Sequence, residues 1–89
     1  MKAVVTVLGK DTMGIIAGVS TYLSGSGVNI LDISQTIMSD MFTMVMIIDT
    51  AKCNLKFSDL SKGLDELGKQ LGVEITVQRE ELFNSMHRI

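Results

Sequence analysis

Eighty-nine residues make one domain, large enough for a core yet close to the size at which small folds seek further burial. Eight Lys and Arg against ten Asp and Glu give a net charge of −2, which excludes the clustered basic footprint of a nucleic-acid binder. No apolar run approaches the roughly 20 residues of a membrane helix, so no membrane partner is expected. Cys53 is the single cysteine, so an internal disulfide is excluded and a reducing cytoplasm is the expected compartment. A hydrophobic content of 46% is rich for so short a chain, and it places part of the apolar material on an interface between copies.

The chain opens on Ala3-Val4-Val5-Thr6-Val7-Leu8, a β-branched run that predicts a strand and lacks the cleavage region of a signal peptide. Ile15, Ile16, Val19, Tyr22 and Leu23 then recur at helical spacing and predict a helix from Thr12 to Ser24. Asp11 and Thr12 are both good N-cap residues, and Gly9 and Gly14 bracket the turn. Such a strand–turn–helix presents free amides at the positive end of a helix, a natural place for a carboxylate or phosphate. The plainer reading is a tight turn with a capping aspartate. The helix stops at Ser24-Gly25-Ser26-Gly27, where either glycine can supply the left-handed residue.

Residues 28–38 alternate apolar and polar side chains and predict a strand with one buried face. Ser39-Asp40 predicts a tight turn into a second strand over residues 41–48. A two-residue turn pairs Ile37 with Phe42, Gln35 with Met44, Ile33 with Met46 and Leu31 with Ile48, which gathers an almost wholly apolar face. A slip of one residue would mix the faces. After a polar segment a second helix is expected, capped by Ser58 or Asn54, with Leu60, Leu64, Leu67 and Leu71 as its stripe and Gly72 at its end. Val73, Ile75 and Val77 alternate in a last strand. The tail carries Leu82, Phe83 and Met86 on one face of a short terminal helix.

The order is βαββαβ plus a tail, which predicts an α+β, ferredoxin-like sandwich: a four-stranded antiparallel sheet with two helices on one face. Residues 1–79 form the domain and 80–89 the helical tail. The first and third strands are apolar on both faces and belong at the centre, while the second and fourth alternate and belong at the edges. Val5, Ile16, Ile33, Ile48 and Leu64 are expected to share one core.

The run Gly9-Lys10-Asp11-Thr12-Met13-Gly14-Ile15-Ile16, followed by Val19, Leu23 and Gly27-Val28-Asn29-Ile30, resembles an ACT domain. It resembles most the single-domain bacterial ACT proteins and the modules of the glycine cleavage system repressor. The resemblance covers residues 2–79 and rests on the Asp-x-x-Gly-Ile turn with a Val-Asn-Ile strand start about fifteen residues later. It implies a ligand-sensing module of amino-acid metabolism with an amino acid bound near the first turn, at an interface between domains. The implied ligand set is Asp11, Thr12, Met13, Gly14, Ile15, Asn29 and Ile30. Asp11 would meet the ammonium or cap the helix, amides from Met13 to Ile15 would face the carboxylate, and Asn29 would bond it. The chemistry agrees, since a zwitterion needs an acceptor and several donors close together. Asn29 has a plainer role too, closing the glycine turn through its own backbone. Many relatives carry Pro before the glycine, where this chain has Met13.

Other features lead nowhere catalytic. Met44 and Met46 fall on the buried face while Met38 and Met41 flank the turn, which suits core and interface filling better than a soft-metal site. Cys53 and His87 stand far apart in sequence, and no nucleophile–base pair, metal cluster or carboxylate pair emerges. The expectation is therefore no enzyme and no cofactor, but a homo-oligomeric regulatory module that senses an amino acid or related metabolite and acts on a protein partner in trans. The alternative is a structural adaptor that uses the fold only to dimerise.

Overall fold

The structure, a computed structural model, describes residues 1–10 and 14–81. Its elements are β1 (Lys2–Lys10), α1 (Ile15–Gly25), β2 (Asn29–Met38), β3 (Met41–Asp49), α2 (Phe57–Leu71) and β4 (Val73–Arg79). All strand pairs are antiparallel, in the order β2-β3-β1-β4. The two strands that are apolar on both faces are thus the central ones, as expected. The pleat sends Ala3, Val5 and Val7 of β1 and Phe42, Met44, Met46 and Ile48 of β3 to one face. There they meet Val19 and Leu23 of α1 and Leu60 and Leu64 of α2 in a single core. Fully burying each such side chain is worth about 1.5–3 kcal/mol. Ile75 of β4 joins them, with Val73, Val77, Leu67 and Leu71 packed at the margin.

Two residues expected in that core lie outside it. Ile33 is 42% exposed and Ile16 is 39% exposed. Ile33 does point to the helix side of the sheet, opposite Met46, but no described helix covers β2 beyond Ile30. Ile16 is turned away because α1 aims Ile15, Val19 and Leu23, one every fourth residue, at the sheet.

The hairpin register holds for Ile37, Gln35 and Ile33, which face Phe42, Met44 and Met46. It departs at the far end, where Ile30 rather than Leu31 faces Ile48, with an irregularity between Ile30 and Asp32. This bulge inserts Leu31 as an unpaired residue and returns Ile30 to the helix side, where it packs against the core. Ser39 (φ 49°) and Asp40 (φ 67°) both take the left-handed conformation of a tight hairpin turn.

Helix ends differ in detail from the sequence reading. α1 is described from Ile15, after Gly14 at φ 88°, and Thr12, where the sequence reading begins the helix, lies outside the described residues. At its other end Gly27, not Gly25, is the left-handed residue, with φ 76°. Its N–H donates to the Ser24 carbonyl at 3.1 Å, and the Val28 N–H reaches the Leu23 carbonyl at 3.0 Å. α2 begins after Lys56 with no side-chain cap, so neither Ser58 nor Asn54 caps it; Asp59 in its first turn suits the helix dipole instead. Gly72 ends α2 at φ 75°, as expected. Of the tail, Leu82, Phe83 and Met86 lie outside the described residues. No described helix is long and apolar enough to cross a membrane.

Candidate functional site

The predicted turn lies where β1 hands over to α1. Gly14 is exposed, and its left-handed backbone feeds directly into the helix. The Gly18 N–H donates to the Gly14 carbonyl at 2.8 Å, and the residues four back from Ile15, Ile16 and Ala17 lie outside the described residues. No acidic residue sits in the first turn of α1 to neutralise its amides. The N-terminus of a helix is the kind of place where backbone donors can face an anion. The Ile15 side chain is buried in the core, which leaves only its amide for a ligand. Asp11, Thr12 and Met13, expected beside these amides, lie outside the described residues.

Asn29 and Ile30 stand elsewhere in the chain. β1 and β2 run parallel on either side of β3, because each is antiparallel to it. Lys10 lines up with Met41 and Met38, whereas Lys2 lines up with Asp49 and Asn29. Asn29 thus lies at the opposite end of the sheet from the turn, on the order of 26 Å away at about 3.3 Å per strand residue. The structure does not bring Asn29 to Gly14 within one chain. A ligand that touches both must bridge two chains.

Around Asn29 an open recess is lined by Ser24, Gly27, Val28, Asp49, Ala51 and Lys52. Backbone bonds tie the segment beside it: the Asn54 N–H donates to the Ser26 carbonyl at 3.0 Å, and the Cys53 N–H to the Thr50 carbonyl at 3.0 Å. The Asn29 side chain is exposed, and among the described residues no hydrogen bond uses it to close the glycine turn. Asp49 Oδ1 accepts the Ala51 N–H at 2.9 Å and lies 3.6 Å from the Met1 amine. That backbone bond, helped by the amine and Lys2, holds the Asp49 carboxyl below the usual carboxylate range. The recess therefore combines an amide, a carboxylate and an ammonium. Sequence reasoning passed over Asp49 and Lys52 as loop polarity. The hairpin register, continued past Ile48, was the available signal, because it sets Asp49 beside the start of β2.

Among the described residues no three His, Cys, Asp or Glu side chains gather as a metal site. The Cys53 thiol is free and half-buried. Met44 and Met46 are fully buried, while Met38 (70% exposed) and Met41 lie on the surface.

A split βαββαβ sandwich whose first helix begins at a left-handed glycine defines a class of small α+β modules. Within that class, the chain belongs to the ACT domain family, whose sequence model matches residues 2–78. It is 54% identical over its whole length to a UPF0237 protein of Clostridium acetobutylicum, all of which it covers. In solved structures it is similar to an ACT domain protein from Streptococcus pneumoniae, 40% identical, with a TM-score of 0.83 over 93% of each chain. It shares its fold with a protein described as a glycine cleavage system transcriptional repressor, at 24% identity and a TM-score of 0.74. That match covers 86% of this chain and 44% of the other.

Proposed function

We propose that this protein is a regulatory module that binds an amino acid or related metabolite at a site shared between subunits, and acts on another protein in trans. In this reading residues 1–79 form the sensing domain, 80–89 are an appended tail, and the protein works in the cytoplasm without catalysis or cofactor. The observation that carries it is the start of α1 at the exposed, left-handed Gly14, a helix N-terminus of the kind whose amides can face a carboxylate. Asp11 meets the ammonium, Thr12 and Met13 flank it, and Asn29 with Ile30 close the site from a second chain. Family membership supports the reading, since ligand sensing is what the resemblance to ACT domains implied.

The test is a thermal-shift screen against amino acids, repeated on Asp11→Ala and Asn29→Ala. A compound that binds only the folded state at about a hundredfold excess over its Kd adds about 2.7 kcal/mol. Losing a ligand contact leaves the midpoint of the free protein unchanged and abolishes the shift. Losing only a helix cap lowers the midpoint with or without the compound, by roughly 0.5–2 kcal/mol of stability. If both variants bind a confirmed amino acid as tightly as the parent, the site lies elsewhere. The exposed apolar residues of β2 favour a second reading, an adaptor that only joins protein surfaces, and a screen in which no amino acid moves the midpoint selects it.

A further inference from the structure

We infer that the tail, residues 82–89, packs as an amphipathic helix across the sheet face opposite α1 and α2, and closes that face over Val4. The pleat sends Val4, Thr6 and Leu8 of β1 to this face, flanked by Ile47, Val45 and Thr43 of β3 and by Gln78, Thr76 and Glu74 of β4. Both described helices pack on the other side, where the core lies. An antiparallel sheet face with no covering layer is wetted by solvent. Leu8 follows that rule at 40% exposed, but Val4, on the same strand and the same face, is only 2% exposed.

The burial is centred on one corner. Ile47 and Gln78, which flank Val4 across the strands, are half-buried, and so is Glu80. Thr76 and Glu74, further along the same edge of β4, are exposed, as are Asp32, Ser34 and Thr36 of β2. Position on an edge strand does not set this difference, since Thr76 and Gln78 share the strand and the face, yet only Gln78 is drawn in. The cover therefore enters at the Gln78 end of β4, lies over β1 and leaves β2 open. Val4 is this deeply buried within a single chain, so what covers it belongs to the same chain.

The tail starts at that corner. β4 ends at Arg79, and Glu80 and Glu81 are already helical, with charges that suit the first turn of a helix. Beyond them Leu82, Phe83, Met86 and Ile89 stand at i, i+1, i+4 and i+7, one face of a helix, while Asn84, Ser85, His87 and Arg88 fall elsewhere. A helix advances about 1.5 Å per residue, and adjacent strands lie about 4.8 Å apart. Counted from Glu80 over the edge strand, Phe83 comes to the level of β1 and Met86 to that of β3. These are the strands whose outer side chains, Val4 and Ile47, are withdrawn from solvent. The tail is then a third layer of the fold at this corner, and the face it occupies is closed to any other partner there. At the hairpin end Leu8, Met38 and Met41 stay exposed.

Nuclear Overhauser contacts in the unaltered full chain test the placement. Expected are contacts from the Phe83 ring and the Met86 methyl to the methyls of Val4 and Ile47. A mixture of isotope-labelled and unlabelled chains separates contacts within a chain from contacts between chains. Absence of these contacts overturns the proposal, and so do contacts found only between chains, which would give the face to a second copy. Thiol labelling measures the cover independently. In a Cys53→Ser background, Val4→Cys should react with a thiol reagent about tenfold or more faster once Phe83→Asp is added, because the tail then opens locally. Val7→Cys, on the same strand but facing the core, should keep its rate. An unchanged rate at residue 4, or an equal acceleration at residue 7, overturns a local cover by the tail.

Discussion

Gly14 and Gly27 flank α1 with nearly the same left-handed backbone, φ 88° and φ 76°, yet they differ in what surrounds them. A Cβ built on Gly14 meets nothing within 4 Å, whereas one on Gly27 would lie 2.6 Å from the Lys52 carbonyl oxygen. Alanine at Gly14 therefore incurs only the left-handed penalty, roughly 1–2 kcal/mol. Stiffening of the unfolded chain returns about 0.4–1 kcal/mol of it. Alanine at Gly27 incurs the same strain plus the displacement of a backbone carbonyl, for which overpacking costs of about 1–3 kcal/mol are the guide. The Lys52 carbonyl belongs to the 51–54 segment, which is tied to Ser26 by the Asn54 N–H, so it has little freedom to retreat. Gly27→Ala should thus be the more damaging by about 1–3 kcal/mol. Equilibrium urea unfolding followed by circular dichroism measures both. In thermal unfolding each kcal/mol appears as roughly 4–8 °C for a domain of this size. Equal losses in the two variants would refute the argument that the loop, and not the backbone angle, sets the cost at Gly27.

A Cβ at Gly63 would overlap the Tyr22 hydroxyl where α1 and α2 meet, so Gly63→Ala should destabilise the parent but cost much less in a Tyr22→Ala background. Additive losses in that double-mutant cycle would count against a clash between the two residues. Asp49, whose folded pKa is lowered, contributes stability that is complete above the ordinary carboxylate range and is lost as pH falls through it. The difference in unfolding midpoint between the parent and Asp49→Asn should therefore shrink from about pH 6 to about pH 2. A gap that stays constant with pH would show that Asp49 acts through something other than its charge.

Much of the fold was legible because local periodicity and tertiary burial agree. Strands with period two, a Leu60–Leu64 stripe with period near 3.6, and a terminating glycine at Gly72 each encode their own geometry. The hairpin register was legible from Ile37 to Ile33, since a one-residue slip would have turned Met44 and Met46 out of the core. Strand order followed from which strands are apolar on both faces. The alternation of β2, by contrast, says that one face of that strand is apolar but not what covers it. Only the packed structure shows that the described helices leave Ile33 and Ile37 exposed. The bulge at Leu31 was equally hidden, because Ile30 and Leu31 are alike in hydrophobicity and only the fit against Ile48 distinguishes them. The candidate site divides the same way. The helix start at Gly14 and the side-chain amide of Asn29 are properties of short segments, and the sequence alone determines their chemistry. Their placement depends on α1 running back along β1 and delivering the chain to the far end of the sheet, a relation between elements that no local pattern carries.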